Sequence, residues 1–145
     1  MSEAVVQRVM TRLNPAPYFE HLGAVLVEAG EGTATVRIPT RAEFGRSQNT
    51  GDGTAHGGVV ASAIDMAASC ALITLLAEDE GRTTIDLSIH YLAPAKGDLF
   101  AAATVRRRGG RTAVIDIEVT ASGTLAAIGR ATFAILRPSN KEPRE

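Results

Sequence analysis

Residues 56–76 read HGGVVASAIDMAASCALITLL, and their pattern predicts one long buried helix. Its polar residues Ser62, Asp65 and Ser69 are spaced three and four apart and therefore share one face of a helix. The rest of that helix is apolar and has to be covered on nearly every side. A curved antiparallel sheet folded about a single helix provides this cover, so we expect an α+β protein with one long central helix.

Alternating segments on both sides of the helix predict the strands of such a sheet. Residues 24–28 and 33–39 flank a turn that contains Gly30 and Gly32, and they predict an antiparallel hairpin. Four further segments follow the helix and are joined by short connections, which is the pattern of an antiparallel meander. These segments are residues 84–91, 98–107, 111–120 and 125–136.

The remaining segments complete one predicted domain of 145 residues. Within the N-terminal segment 1–16, residues 3–13 predict a short amphipathic helix that ends before Pro15, and residues 17–22 predict a further helical turn. Residues 40–55 have no hydrophobic period and predict a loop that leads into the central helix. The charged segment 138–145 is expected to fray.

Composition and charge exclude several classes of function. The formal net charge is -1, without the basic excess of a protein that neutralises many phosphates, so no nucleic-acid partner is expected. The single cysteine, Cys70, has no disulfide partner and fits a reducing cytoplasm. Glu3 lies where a signal peptide needs basic charge, and Asp65 interrupts the longest apolar stretch, so neither export nor membrane insertion is expected. The three histidines are too scattered to predict a metal site.

Asp65 is the residue of the central helix that most needs an explanation. Burying a carboxylate is costly unless the group is paired or used in chemistry. Asp65 therefore either holds a hydrogen-bond network at a subunit contact or takes part in a reaction. Gly57 and Gly58 strengthen the second alternative, because they lie where a loop becomes a helix. Backbone N–H groups at such a terminus can stabilise a developing negative oxygen.

Three features together resemble a known family. They are His56-Gly-Gly, Asp65 eight residues after Gly57, and Tyr91-Leu-Ala-Pro-Ala-Lys96 at the end of the next strand. In this combination the chain resembles the hotdog-fold thioesterases of the phenylacetate-degradation (PaaI-like) type, from about residue 19 to residue 136. The resemblance implies a curved antiparallel sheet around one long helix and the hydrolysis of an acyl-coenzyme A.

The resemblance also implies roles for individual residues. Asp65 matches the family's catalytic acid, which acts as general base or as nucleophile, and the Gly57 N–H would polarise the thioester carbonyl. Thr84 lies where some members carry a hydroxyl that orients the water. Asn49 is the candidate for an assisting asparagine, although its loop is one residue longer than the usual one. His56 is expected chiefly to hold the turn.

Contacts to the coenzyme A part of the substrate are predicted at Gly58 and at two arginines near the Gly109-Gly110 turn, Arg108 and Arg111. A basic turn can bind phosphates, and a solvated turn is the alternative reading. No separate cofactor is expected, because coenzyme A belongs to the substrate. The acyl group stays open between aryl and medium-chain aliphatic.

Two other functions are compatible with the same fold. One is a non-catalytic acyl-CoA-binding module, which would gain little from a buried acid. The other is a hotdog dehydratase or hydratase, which would need a histidine placed for proton transfer. No histidine follows Asp65 by four or five residues on its helix.

Helix geometry predicts the assembly. Gly57 and Asp65 are separated by about 12 Å of helix rise, yet both would have to act within about 3 Å of one reacting group. We therefore expect a twofold homodimer with shared active sites, and we expect two such dimers to associate into a homotetramer. The central helix and the strand 84–91 are expected near the interface. Even positions of that strand, Thr84, Asp86, Ser88 and His90, predict one polar face.

Overall fold

The structure is a computed structural model, and it describes residues 3–13, 16–47 and 51–139. Its helices and strands begin and end within three residues of the predicted bounds. Asn49, the candidate for the assisting asparagine, lies outside the described residues. So do residues 140–145 of the segment that is expected to fray. The helices are α1 (Glu3–Leu13), α2 (Pro17–His21) and α3 (Gly57–Ile73), with a 3-10 turn at Ala42–Phe44; the strands are β1 (Val25–Gly30), β2 (Thr33–Ile38), β3 (Gly81–Tyr91), β4 (Leu99–Arg108), β5 (Thr112–Ala121) and β6 (Thr124–Leu136).

All six strands form one antiparallel sheet in the order β1-β2-β4-β5-β6-β3. Helix α3 packs against every strand of this sheet, and its apolar residues are buried there. Alternation within the strands supplies the other half of the core, as in β5, where Ala113, Ile115, Ile117 and Val119 are buried. The predicted hotdog architecture, an α+β fold with a sheet around one long helix, is confirmed.

The predicted four-stranded meander is wrong at β3. Strands β4, β5 and β6 do follow one another as neighbours, but β3 pairs with β6 and not with β4. The reason is competition for the edge of β4, which β2 occupies through six paired positions. Strand β3 therefore lies at the end of the sheet, and its second edge has no strand partner in the described part of the chain.

The predicted polar face of β3 is also wrong at one position. The pairing of β3 with β6 shifts between Thr84 and Asp86, so Ile85 is an extra residue in the ladder. Thr84 is paired with the buried Phe133 and faces α3, whereas Asp86 is paired with Thr132 and faces away. This bulge turns a hydroxyl towards the central helix.

Helix α1 is attached to the C-terminal end of α3 by two arginines. The Arg8 guanidinium donates to the carbonyl of Thr74 at 3.1 Å, and Arg12 donates to the carbonyls of Leu76 and Ala77 at 3.0 and 2.9 Å. The Thr74 carbonyl lies at the C-cap of α3, where a cation is favourable, whereas the carbonyls of Leu76 and Ala77 lie in the segment that follows the helix. Among the described helices, none has both the length and the apolarity to span a membrane.

Candidate active site

His56 caps the N-terminus of α3. Its Nδ1 accepts a hydrogen bond from the backbone N–H of Gly58 at 2.9 Å. Because Nδ1 is an acceptor, the proton of the neutral ring lies on Nε2. The backbone N–H of His56 donates to the carbonyl of Phe44 at 2.7 Å, which ties the cap to the preceding loop. His56 and Gly58 therefore form the turn that starts the helix, and this contact occupies the Gly58 N–H.

Gly57 is the first residue of α3, and its N–H makes no hydrogen bond with the described residues. The Tyr91 hydroxyl donates to the carbonyl of Gly57 at 2.9 Å. A Cβ at position 57 would lie 3.4 Å from the Tyr91 ring, at van der Waals contact. A cleft of about 350 Å³ opens here, with Gly57, Val60, Tyr91 and Pro94 among its walls. A free backbone donor thus lines a cleft at the positive end of a helix.

The Asp65 carboxylate lies in the third turn of the same helix and is half-buried. Its Oδ1 accepts a hydrogen bond from the Thr84 hydroxyl at 2.7 Å. Within the described residues, Oδ2 accepts no hydrogen bond and neither oxygen takes part in an ion pair. The structure therefore brings Asp65 and Thr84 together, with one carboxylate oxygen left for another partner.

The three residues of the predicted polar face of α3, Ser62, Asp65 and Ser69, each have a different side-chain partner. Ser62 shares a hydrogen bond of 2.8 Å with the Tyr18 hydroxyl. Ser69 accepts one of 2.6 Å from Nε of Arg82. These contacts place a row of polar groups along the helix, with Asp65 in the middle.

Gly57 and Asp65 are not brought together within one chain. They lie eight residues apart on one continuous helix, which corresponds to about 12 Å along its axis. Each has its own local partner, Tyr91 for Gly57 and Thr84 for Asp65.

The two arginines predicted to contact coenzyme A have different surroundings. Arg108 forms an ion pair with the buried carboxylate of Glu80 and also donates to the carbonyl of Gly109 at 2.8 Å. Glu80 also accepts from Arg137 at 3.0 Å, and these donors lower the pKa of Glu80 to about 2, with Arg108 the largest cause. Arg111 is exposed beside the turn between β4 and β5. Arg108 thus has a structural partner that was not foreseen.

Four residues around the site were not predicted from the sequence. Tyr91 begins the Tyr91–Lys96 motif, but the motif does not indicate its contact with Gly57, and Tyr18 has no sequence signal that links it to Ser62. Arg82 had a signal, because it precedes Thr84 by two residues and so shares its side of the strand. Arg46 lines the same cleft as Gly57 and forms an ion pair with Asp52 at 3.0 Å.

Comparison with known proteins identifies the family. Residues 52–128 match the family described as the thioesterase superfamily. A Halobacterium salinarum protein, named provisionally as an esterase, is 35% identical over 125 residues, which are 80% of this chain and 82% of that protein. Acyl-coenzyme A thioesterase 13 of Pongo abelii is 30% identical over 133 residues, which are 88% of this chain and 91% of that protein.

A solved structure shows the same fold at similar identity. A variant of the phenylacetic acid degradation protein PaaI from Thermus thermophilus superposes with a TM-score of 0.73 at 27% identity, covering 83% of this chain and 100% of that one. The family match spans the N-terminus of α3, the Asp65–Thr84 contact and the strands from β3 as far as Ile128 in β6. The chain therefore belongs to the thioesterase superfamily, and it is a thioester hydrolase with a hotdog fold.

Proposed function

We propose that this chain hydrolyses an acyl-coenzyme A to the free acid and coenzyme A, with Asp65 as general base and the Gly57 N–H as oxyanion donor. The observation that carries the proposal is the Asp65–Thr84 contact. Thr84 holds Oδ1 through a hydrogen bond of 2.7 Å, which leaves Oδ2 for a water molecule. The name of the Pongo abelii relative, an acyl-coenzyme A thioesterase, supports the choice of substrate.

In the proposed reaction, Oδ2 of Asp65 removes a proton from water while the water oxygen adds to the thioester carbon. The carbonyl electron pair moves to oxygen, and this oxyanion accepts a hydrogen bond from the Gly57 N–H. The intermediate then collapses and breaks the C–S bond. The departing thiolate of coenzyme A takes the proton from the Asp65 carboxyl group, so the enzyme returns to its starting state.

The active unit in this proposal is a twofold homodimer. One subunit contributes Gly57 and its partner contributes Asp65, because about 12 Å of helix separates the two residues within a chain. Strand β3 supports this arrangement, since its second edge has no partner among the described residues and its bulge residue Ile85 is 57% exposed. Two such dimers would form the predicted tetramer. The cytoplasmic location and the absence of a separate cofactor stay predictions from the sequence.

Release of free thiol from a panel of aryl and aliphatic acyl-CoA thioesters tests the proposal directly. The Asp65→Asn variant keeps the shape of the side chain but cannot accept the proton, so we expect turnover to fall at least about a hundredfold. A matched control is Asp86→Asn, because Asp86 lies two residues after Thr84 but faces away from α3.

We expect the Asp86→Asn variant to keep the wild-type turnover. Circular dichroism of both variants should match that of the wild type, which separates lost chemistry from lost structure. Wild-type turnover in folded Asp65→Asn would refute the role of Asp65. A wild-type protein that binds acyl-CoA but releases no thiol would instead favour the non-catalytic binding module.

A further inference from the structure

Arg82 is a part-buried cation with very few partners. It is the second residue of β3, and its Nε donates to the Ser69 hydroxyl at 2.6 Å. Within residues 3–13, 16–47 and 51–139, this is the one hydrogen bond of its guanidinium group, and no carboxylate forms an ion pair with it. Burial lowers the pKa of Arg82. Four of its five N–H donors therefore have no partner in this part of the chain.

Three other arginines have hydrogen-bond acceptors that the fold provides. Arg108 and Arg137 share the carboxylate of Glu80, and Arg12 donates to several backbone carbonyls. A guanidinium removed from water is costly unless its donors are satisfied. A planar fork of free donors is also the group that best matches a carboxylate, through two parallel hydrogen bonds. Arg82 thus resembles a binding group more than a structural one.

The position of Arg82 relates it to the reacting carboxylate. Ser69 follows Asp65 by one helical turn, and Arg82 precedes Thr84 by one repeat of the strand, so the two contacts run side by side. Their separation is about 6 Å, which is four residues of helix rise. Burial is the main cause that lowers the pKa of Arg82, and Cys70, Arg12 and Asp65 act on it through charge, with Asp65 giving the smallest effect, which raises that pKa. Gly57 lies in the opposite direction along the helix.

We propose that Arg82 selects the acyl group, and that the preferred substrates carry a carboxylate at the far end of the acyl chain. This inference rests on the proposed acyl-CoA hydrolysis. If the thioester carbon lies at Asp65, an acyl chain that runs along the polar row from Asp65 to Ser69 would reach Arg82 after about 6 Å. An extended chain advances about 1.2 Å per bond, so roughly four or five bonds fit this distance. Glutaryl and adipyl groups have this length.

Two pairs of substrates test the selection, each matched in carbon number: adipyl-CoA with hexanoyl-CoA, and glutaryl-CoA with pentanoyl-CoA. The quantity measured is the ratio of kcat/KM for the carboxylated substrate to that for the neutral one. For the wild type we expect a ratio of about ten or more, the scale of a charge-assisted hydrogen bond. In Arg82→Met, which keeps the apolar stem, the ratio should fall by about tenfold or more. Arg82→Lys keeps the positive charge but not the planar pair of donors, so its ratio should lie between those of the wild type and Arg82→Met.

Arg107→Met is the matched control, because Arg107 is an exposed arginine of β4 and its loss should leave both ratios unchanged. A wild-type enzyme that hydrolyses the neutral substrates as well as the carboxylated ones overturns the proposal, and this result needs no folded variant. An unchanged ratio in folded Arg82→Met also overturns it. Absence of thiol release from every substrate would instead refute the proposed function, so the two failures are distinguishable.

Discussion

At the scale of single residues, two carboxylates of this protein show what distinguishes a chemical group from a structural one. Glu80 is buried and accepts from Arg108, Arg137 and the backbone N–H of Ala77, so both of its oxygens are used. Asp65 accepts one hydroxyl hydrogen bond, and its second oxygen accepts nothing from the described residues. An oxygen without a partner inside the protein is available to a substrate or to water. This difference supports the proposed catalytic role of Asp65 and a structural role for Glu80.

The free N–H of Gly57 leads to a prediction about a side chain at that position. In Gly57→Val, the Cβ would lie 3.4 Å from the Tyr91 ring, an ordinary contact, and the two methyl groups would extend into the cleft. We expect a folded protein whose turnover falls by about a hundredfold or more, the scale of losing one oxyanion donor. Steady-state rates and the thermal midpoint, measured on the same preparation, check this expectation.

The Gly57→Ala variant is a control that distinguishes crowding of the cleft at Gly57 from unfolding of the protein. Its single methyl group occupies the same Cβ position, so the variant should keep the wild-type thermal midpoint and show a smaller loss of turnover. If folded Gly57→Val turns over at the wild-type rate, the oxyanion role of Gly57 is wrong.

At the scale of secondary-structure elements, Glu80 joins the ends of several segments. Its carboxylate binds Arg108 at the end of β4 and Arg137 just after β6, while its backbone carbonyl accepts from Arg12 of α1 at 2.6 Å. We expect Glu80→Gln to lower the free energy of unfolding at pH 7 by about 2 kcal/mol, because charge-assisted hydrogen bonds in a buried setting are lost. The expected loss of free energy is small because the Arg137 side chain is 55% exposed, so solvent screens its contribution.

The pH dependence of this stabilisation follows from the lowered pKa of Glu80, which is about 2 against an ordinary value of 4.5. A carboxyl whose pKa is depressed by folding stabilises the native state fully above its ordinary pKa. That stabilisation is lost as the pH falls from about 4.5 to about 2. The difference in urea midpoint between wild type and Glu80→Gln should therefore shrink across this window. Glu78→Gln, at an exposed glutamate two residues earlier, should show no such difference at any pH.

Much of the element pattern could be predicted from the sequence, because alternation and the apolar stretch are local signals. The place of β3 could not, since it depends on competition between β2 and β3 for the edge of β4. The bulge at Ile85 was missed for a related reason, because a single extra residue is visible only once the partner strand is known.

The candidate site shows the same limit. The spacing of Ser62, Asp65 and Ser69 predicted a polar helix face, but not which partner each residue contacts. The pairing of Arg108 with Glu80 joins positions 28 residues apart and has no local signal. Arg82 could have been considered from strand alternation with Thr84, yet its lack of a carboxylate partner is a property of the folded chain.

At the scale of the whole molecule, the described residues place the two groups of the proposed reaction, Gly57 and Asp65, at two separate sites on one chain. The cleft at Gly57 has a backbone donor without a partner among the described residues but no acid in its lining, and the Asp65–Thr84 pair supplies an acid at the other place. Strand β3 carries both Thr84 and Tyr91, which contact these two places, and it lies at the open edge of the sheet. A twofold axis near β3 would join the two groups from different subunits.

The shared site predicts that two inactive variants restore activity in each other's presence. A heterodimer of Gly57→Val and Asp65→Asn subunits has one site with both substitutions and one site with neither, so one of its two sites works. After random exchange of equal amounts, half of the dimers are heterodimers, and we expect about a quarter of the wild-type activity. Exchange is carried out in mild denaturant and confirmed by native mass spectrometry. Each variant taken alone through the same procedure is the control. If heterodimers form and the activity stays at the level of the separate variants, the shared-site model is wrong, because a site that combines Gly57 of one subunit with Asp65 of the other leaves one working site in every heterodimer.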